Sequence, residues 1–237
     1  LANRNENNFL LLRKLSKYKF NTIIEKPFLA GKKKYLELYN IYKKNNVRLS
    51  ISTPWLYDQN LIKISKKIKL FNIKSINFRW FNKKNLIRYN EKRKFDSSIT
   101  HLTDIISHLV SVLMCITKKT NLDIGNLKYV KIKKIEKTSF EIFGINVIIE
   151  NSNKLDIEKR EIFISTKFKD KYILKFNKDS LSFIDNNQLI KFKDNKNKIN
   201  TQHKKILLKS RFQQKKDYEV FSSISLITKK ILIEINK

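Results

Sequence analysis

The sequence predicts an α+β fold that is rich in helices before about residue 120 and rich in strands after it. Hydrophobic residues make up 41% of the chain and include 16 Phe and 9 Tyr, which is enough apolar surface for a packed core. Apolar residues recur at helical spacing through Ile99–Ile116, whereas apolar and polar residues alternate from Tyr129 onward. At 237 residues, one domain or two small ones are expected.

The N-terminal part of the chain predicts a strand, a loop, a helix and a second strand in that order. Phe20–Ile24 is a strand candidate, and Pro27 turns the chain after it. Gly31–Lys34 is predicted to form a basic loop that begins with glycine. Tyr35–Lys44 carries an apolar face at helical spacing, and Val47–Ile51 alternates as a half-buried strand.

The remaining elements follow from the same two periods. A strand is expected around Ile76–Trp80, and Asp96 is the expected N-cap of the Ile99–Ile116 helix. Gly144 marks a bulge or a close approach of backbones. Further strands are expected at Phe140–Ile149, Glu161–Thr166, Tyr172–Phe176, Leu181–Ile184, Leu189–Phe192 and Lys230–Ile235.

Charge is the feature that predicts a partner. The chain has 52 Lys and Arg against 21 Asp and Glu, a net charge of +31. A folded body with this charge repels itself unless a polyanion neutralises it, and nucleic acid is the commonest one. A solvated cationic surface is the alternative. Only two alanines, three glycines and eight arginines occur, a bias that indicates drift in an AT-rich, organellar genome.

Patterns of enzyme and metal chemistry are missing from the sequence. Cys115 is the only cysteine, and His101 and His108 are seven residues apart without a third ligand at metal spacing. The three glycines cannot make a dinucleotide fingerprint or a phosphate-binding loop. We therefore predict no enzyme activity, no metal, no cofactor and no small-molecule substrate.

A membrane span is also not predicted. The most apolar stretch, Ser97–Thr117, contains Asp104, and its uncharged part covers about 13 residues, fewer than the ~20 that cross a bilayer.

Basic residues alternate with aromatic ones in several stretches. Cations contact phosphates and exposed rings stack on unpaired bases, so this pattern favours RNA binding, although core packing is the commoner role for any single ring. The predicted RNA-binding residues are Lys26, Gly31, Lys32, Lys33, Lys34, Arg79, Lys83, Lys84, Lys159, Arg160, Lys204 and Lys205.

The order of motifs resembles the ribosomal small-subunit protein number three family, a KH-domain family. Gly31-Lys32-Lys33 matches the KH loop, in which Lys34 replaces the second glycine. The other matches are a Gly-Ile-x-Val strand, a basic step and a closing strand, at Gly144, Ile145, Val147, Lys159, Arg160, Lys230, Ile231 and Ile233.

The resemblance implies a degenerate KH-like module over 20–53, after an N-terminal extension over 1–19. A basic connector over 54–95 and a strand-rich α+β domain over 96–237, with hairpins inserted at 162–198, would follow. The implied function is a structural constituent of the small subunit of a mitochondrial ribosome. Its partners would be rRNA, neighbouring ribosomal proteins and mRNA at the entry region. Two alternatives stay open: a non-ribosomal organellar RNA-binding or maturation factor, and an accessory subunit of a membrane complex.

Overall fold

The computed structural model describes residues 5–25, 32–83, 87–88, 91–92, 100–176, 180–193 and 211–237. The helices are α1 (Asn5–Lys17), α2 (Lys32–Lys44), α3 (Gln59–Lys67), α4 (His101–Thr117) and α5 (Arg211–Ile235), with 3-10 helices at Pro54–Tyr57 and Leu70–Asn72. The strands are β1 (Thr22–Ile24), β2 (Leu49–Ile51), β3 (Ile73–Lys83), β4 (Ile87–Arg88), β5 (Glu91–Lys92), β6 (Gly125–Ile132), β7 (Ile135–Ile142), β8 (Ile145–Leu155), β9 (Lys159–Thr166), β10 (Lys171–Phe176), β11 (Ser180–Asp185) and β12 (Gln188–Lys193).

The N-terminal part of the fold contains a strand–helix–strand unit. β1 and β2 are parallel, with Thr22 opposite Leu49, and α2 connects them. The buried Tyr42 of α2 donates a hydrogen bond to the carbonyl of Leu12 at 3.0 Å, which fixes α1 against this unit. The unit is therefore a parallel βαβ crossover.

The main sheet has eight strands in the order β12-β11-β10-β9-β3-β8-β7-β6. β3 and β8 are parallel, with Ile76 opposite Val147, and the other neighbours are antiparallel. β3, which belongs to the segment expected to be a connector, therefore lies between β9 and β8 near the centre of the sheet.

One face of this sheet, the inner face, packs against the helices. Its buried residues include Phe78, Trp80, Ile149 and Ile162. α4 packs on β8, α3 and α5, and nearly all of its residues are buried. The hydroxyl of Thr100 accepts a hydrogen bond from the Thr103 amide at 3.1 Å and so caps the first turn of α4.

The structure corrects the KH prediction. A KH loop joins two helices, but Lys32–Lys34 form the first turn of α2 and the preceding element is strand β1. Gly31 and the predicted N-cap Asp96 lie outside the described residues. The predicted module over 20–53 is instead the parallel βαβ unit, so the predicted fold class is wrong beyond its coarse α+β character.

The predicted closing strand is also wrong. Lys230–Ile235 lies in helix α5 and forms no strand. Apolar residues at helical spacing explain the difference, since Val220, Ile224, Ile227 and Ile231 are all buried. Gly144, with a φ of 73°, lies in the two-residue turn between β7 and β8, so it serves a hairpin and not a bulge.

Candidate functional site

The candidate site lies where the parallel strands end. The carboxyl ends of β1 and β2, at Ile24 and Ile51, are adjacent, and the Ser52 amide donates to the Ile24 carbonyl at 2.8 Å. The chain then enters the 3-10 helix Pro54–Tyr57, which packs against α4. Crevices outside the carboxyl ends of parallel strands are the usual ligand sites of such units. We call this place the crevice.

Aromatic rings connect the crevice to the main sheet. Trp55, from the 3-10 helix, meets Phe176 of β10 edge-on at 4.9 Å between ring centroids. Phe176 lies 6.0 Å from Trp80 of β3, and Trp80 lies 6.4 Å from the imidazole of His108. Four rings from four separate elements therefore form one continuous wall, which we call the ring wall.

Two titratable side chains of α4 lie at or next to the ring wall: His108 belongs to it, and Asp104 lies one turn away on the same helix. Asp104 and His108 are four residues apart, so they lie on one helix face about 6 Å apart at Cβ. Both are half-buried, in a helix whose other residues are almost all buried and apolar or hydroxylic. An imidazole with a carboxylate one turn away is a pair that can accept and donate a proton near neutral pH.

A cation is fixed against the same wall. The guanidinium of Arg160 lies over the Trp80 ring at 5.4 Å. It donates to the buried Asn82 side-chain oxygen at 3.0 and 3.3 Å, and it pairs with Glu158 at 3.0 Å. Because three groups fix its orientation, Arg160 has a defined position next to the ring that contacts His108.

The residues predicted to bind RNA are spread over different surfaces. Arg79 lies on the outer face of the sheet, where it pairs with Glu150 at 3.2 Å, whereas Arg160 lies on the inner face. Lys159 pairs with Glu161 at 3.1 Å. Lys34 and Lys83 are exposed, and Lys32 and Lys33 begin α2. Lys26, Gly31, Lys84, Lys204 and Lys205 lie outside the described residues.

Sequence reasoning missed the pair on α4. It treated His108 as an ordinary surface or core histidine and Asp104 only as an argument against a membrane span. The available signal was a carboxylate and an imidazole at helical spacing in an otherwise uncharged helix. Within the described residues, no group of three metal-ligating side chains occurs. In the same part of the chain, no helix has the length and apolar character needed to cross a membrane.

Comparison with known proteins identifies solved structures that share the fold of this chain. No protein-family model and no curated protein matches the sequence. Among solved structures, a UDP-N-acetylglucosamine 3-dehydrogenase from Acidithiobacillus ferrooxidans matches with a TM-score of 0.76 at 10% identity, over 98% of this chain and 76% of that one. A 3-ketoreductase from Actinomadura kijaniata, in complex with TDP-benzene and NADP, matches with a TM-score of 0.71 at 6% identity, over 99% and 77% of the two chains.

A third solved structure also matches this chain over its whole length. A Gfo/Idh/MocA family oxidoreductase from Vibrio cholerae matches with a TM-score of 0.66 at 12% identity, over 100% of this chain and 78% of that one. At these identities the likeness establishes the fold. The chain therefore shares its fold with these three solved structures.

These likenesses overturn the predicted class of protein. The three solved structures described above are a dehydrogenase, a ketoreductase and a further oxidoreductase, and none of them is a ribosomal or KH protein. The predicted resemblance to the ribosomal family was wrong, and so were the ribosomal function, the RNA partners and the exclusion of an enzyme and of a small-molecule substrate. The physical reason is that net charge reports a surface property, which a genome-wide bias toward lysine also produces. The organellar location stays a prediction.

Proposed function

We propose that this protein is an oxidoreductase that interconverts a hydroxyl group and a ketone on a sugar nucleotide or a similar polyhydroxylated molecule. The observation that carries the proposal is the position of His108 in the ring wall, with Asp104 one turn away on α4, in a fold that this chain shares with solved oxidoreductases. Two solved structures of this fold are described as acting at position 3 of their substrates, and one of them names UDP-N-acetylglucosamine. A sugar nucleotide is an anion, which a chain of charge +31 attracts.

Different residues would contact the substrate and transfer its proton. Trp80 and Phe176 are buried, so the half-buried rings of Trp55 and His108 would provide the surface of the ring wall that the substrate body contacts. When a secondary alcohol is oxidised to a ketone, its hydroxyl proton goes to a base, and its carbon-bound hydride goes to an organic hydride acceptor that must be supplied together with the substrate. The imidazole of His108 would take the hydroxyl proton, and Asp104 would favour the protonated imidazole that results. In the reverse direction the same imidazole would return the proton to the ketone oxygen.

A nicotinamide dinucleotide site does not fit the residues of this chain. Such a site uses a glycine-rich turn at the first strand–helix junction to approach the diphosphate. The chain has three glycines, and the two that the structure describes, Gly125 and Gly144, lie at the start of β6 and in the β7–β8 turn. Neither lies in the βαβ unit, and Gly31, which stands between β1 and α2 in the sequence, is a single glycine where the dinucleotide turn needs three, so no residue here is assigned to a dinucleotide. The residues of this chain are proposed to bind the substrate and to transfer its hydroxyl proton.

Binding at the crevice can be tested by NMR of the three histidines. The Cε1–H resonances of His101, His108 and His203 are assigned with single His→Gln variants. UDP-N-acetylglucosamine is then titrated into the wild-type protein. The proposal expects a saturable shift of the His108 resonance at ligand concentrations between about 1 μM and 1 mM, the usual range for enzyme substrates.

The remaining two histidines are the control, because they are expected to shift less than His108. Saturable binding that leaves the His108 resonance in place would assign the ligand to another site. The absence of binding for both UDP- and TDP-sugars would remove the substrate class.

A further inference from the structure

One end of the main sheet carries aromatic side chains that are exposed to solvent. Four phenylalanines of the described residues are more than half exposed, and three of them lie at this end: Phe71 at 71%, Phe168 at 70% and Phe143 at 53%. Phe71 belongs to the 3-10 helix before β3, Phe168 to the turn between β9 and β10, and Phe143 to the turn between β7 and β8. We call this place, formed by residues 69–74, 143–144 and 167–171, the aromatic end.

The register of the sheet brings these three segments together. β3 and β9 are antiparallel, with Ile73 opposite Thr166, so the start of β3 meets the end of β9. The amide of Lys167 donates to the carbonyl of Asn72 at 2.8 Å, which joins two of the segments directly. β8 runs parallel to β3, so the turn that precedes β8 emerges at the same end of the sheet. Two of the exposed rings therefore belong to residues next to one hydrogen bond, and the third lies on the neighbouring strand connection.

Phe143 occupies a backbone conformation in which an aromatic residue is unusual. Its φ is 51°, in the left-handed region, and the φ of Gly144 is 73°. Two-residue hairpin turns with this backbone favour Asn, Asp or Gly, because a bulky side chain costs free energy there. The ring of Phe143 is more than half exposed, so packing within the protein offsets little of that cost. The turn therefore presents an aromatic ring to solvent at the expense of the stability of the fold.

Lysines surround the exposed rings. The segments 69–74 and 167–171 contain one acidic residue and five exposed lysines, which are Lys69, Lys74, Lys167, Lys169 and Lys171. The acid, Asp170, accepts hydrogen bonds from the Thr166 hydroxyl at 3.2 Å and from the Asn186 amide at 3.4 Å. Within the described residues, no ion pair joins a carboxylate to any of these five lysines. The aromatic end is therefore a cationic surface with exposed apolar rings.

A hollow on the outer face of the sheet adjoins the aromatic end and carries further cations. Its volume is about 490 Å³, and Lys74 and Gly144 of the aromatic end line it together with Lys128 and Lys137. Among the described residues that line it, the one carboxylate is Glu141, which already accepts a hydrogen bond from a side-chain amide at 3.0 Å. An anionic group bound next to the exposed rings would therefore meet ammonium groups in this hollow.

The aromatic end is far from the ring wall. Trp80 of the ring wall comes seven residues after Ile73 in β3, which is roughly 20 Å along a strand. The surface at the start of β3 and the proposed substrate site near its other end are therefore separate places.

We propose that the aromatic end binds the surface of a membrane that contains anionic lipids. The rings of Phe71, Phe143 and Phe168 enter the boundary between headgroups and acyl chains, and the lysines lie among the anionic headgroups. Apolar side chains and lysines together are the groups by which proteins bind such surfaces without spanning them. Rings on separate turns can each enter a bilayer, which needs no matching shape, and a phenyl ring offers no hydrogen bond to a nucleic-acid base. The proposal does not depend on the oxidoreductase function.

Co-sedimentation of the full chain with lipid vesicles tests the proposal. The probe is a vesicle of equimolar phosphatidylserine and phosphatidylcholine, and a vesicle of phosphatidylcholine alone is its uncharged counterpart. We expect binding to the anionic vesicle to be at least about tenfold tighter than to the neutral one. The double variant F71S/F168S is expected to bind the anionic vesicle about tenfold more weakly, because less apolar surface enters the bilayer. Both rings are exposed, so this variant is expected to unfold thermally as the wild type does.

Tyr18 and Phe20 provide the matched control for the rings. They are 70% and 61% exposed and alternate with lysines in the sequence, but they precede β1 and do not belong to the aromatic end. Y18S/F20S is therefore expected to bind the anionic vesicle as the wild type does. Equal weakening by both double variants, or unchanged binding in F71S/F168S, would overturn the proposal. Weaker binding of single-stranded RNA by F71S/F168S with unchanged vesicle binding would assign the surface to nucleic acid instead.

Two pairs of lysines separate a local contact from general charge attraction. K69Q/K167Q removes two charges from the aromatic end, and K43Q/K44Q removes two exposed charges from the last turn of α2. Only the first variant is expected to bind the anionic vesicle more weakly, because its lysines lie next to the inserted rings. Equal weakening by both variants, or equal affinity of the wild type for anionic and neutral vesicles, would overturn the proposal.

Discussion

The indole of Trp80 and the imidazole of His108 stack at 6.4 Å between ring centroids, with 22° between their planes. Trp80 belongs to β3, near the centre of the sheet, and His108 belongs to α4, so this contact joins the main sheet to a helix that packs on it. Arg160 lies over the same indole at 5.4 Å. The position of His108 therefore depends on a buried aromatic side chain.

Replacement of Trp80 should destabilise the protein. Trp80 is 4% exposed, so Trp80→Ala leaves a cavity and is expected to lower the free energy of unfolding by about 3–5 kcal/mol. Trp80→Phe keeps an aromatic ring in this position and should cost less than Trp80→Ala. Urea unfolding of both variants checks the prediction. A loss below about 1 kcal/mol for Trp80→Ala would mean that the ring is not packed as described.

The buried ion pair between Arg48, which directly precedes β2, and Asp217 of α5 makes a second prediction. Arg48 and Asp217 are 169 positions apart in sequence, and their side chains meet at 2.6 Å. Asp217→Ala leaves a buried guanidinium without its carboxylate and is expected to cost about 3–5 kcal/mol. The double variant R48M/D217L removes both charges and should recover part of that loss.

An exposed pair is the control for this second prediction. Lys237 and Glu234 meet at 2.8 Å, but the lysine side chain is 67% exposed. Lys237→Ala is therefore expected to change stability by less than about 1 kcal/mol. Thermal unfolding of the four proteins gives the comparison, and equal effects of Asp217→Ala and Lys237→Ala would contradict the buried geometry.

The cap of α4 can be tested separately. Because the Thr100 hydroxyl accepts from the Thr103 amide, Thr100→Ala is expected to cost about 1 kcal/mol, whereas Thr100→Ser keeps the acceptor. Denaturant titration distinguishes the two. Identical losses for Ala and Ser would show that the hydroxyl is not the capping group.

Cys115 predicts a pH dependence. Burial raises the pKa of its thiol to about 11, above the ordinary value of about 8.5 in an unfolded chain. The folded state then holds the proton more tightly, so this thiol's contribution to stability is complete below about pH 8.5 and is lost as the pH rises toward about 11. Cys115→Ala should remove this part of the pH dependence.

Alkylation of Cys115 checks the same value directly. The rate for the folded protein is expected to rise with pH up to about 11, since the thiolate is the reactive form. The rate for the denatured protein should level off about 2.5 pH units lower, near the ordinary pKa of a cysteine thiol. Profiles that level off at the same pH would show that the thiol is not buried.

Local sequence pattern predicted much of the secondary structure. The helix through Ile99–Ile116 and the hairpins after Tyr129 follow from their periods of 3.6 and 2, because each element buries one face. The closing segment failed for a physical reason. Ile231, Ile233 and Ile235 alternate like a strand, yet in α5 Ile231 is buried and Ile233 is 53% exposed. A short apolar run does not distinguish the two periods.

Local sequence pattern could not predict how the elements are arranged or which residues form the site. β3 pairs in parallel with β8 and in antiparallel with β9, both more than 60 residues later, and local pattern carries no information on such partners. Trp80, His108 and Arg160 therefore come together only in the folded chain. The surplus of lysine led to the wrong prediction of an RNA partner, because it is a property of the protein surface and not of the crevice.

The central claim, that His108 exchanges a proton with the hydroxyl group of a sugar nucleotide bound beside it, is tested most directly by binding. The affinity for UDP-N-acetylglucosamine is measured by calorimetry for the wild type, His108→Gln and His203→Gln. We predict saturable binding in the wild type, binding about tenfold weaker in His108→Gln because a hydrogen bond to the hydroxyl group is lost, and wild-type affinity in His203→Gln. Affinity that His108→Gln leaves unchanged, or no binding of UDP- or TDP-sugars, would contradict the claim.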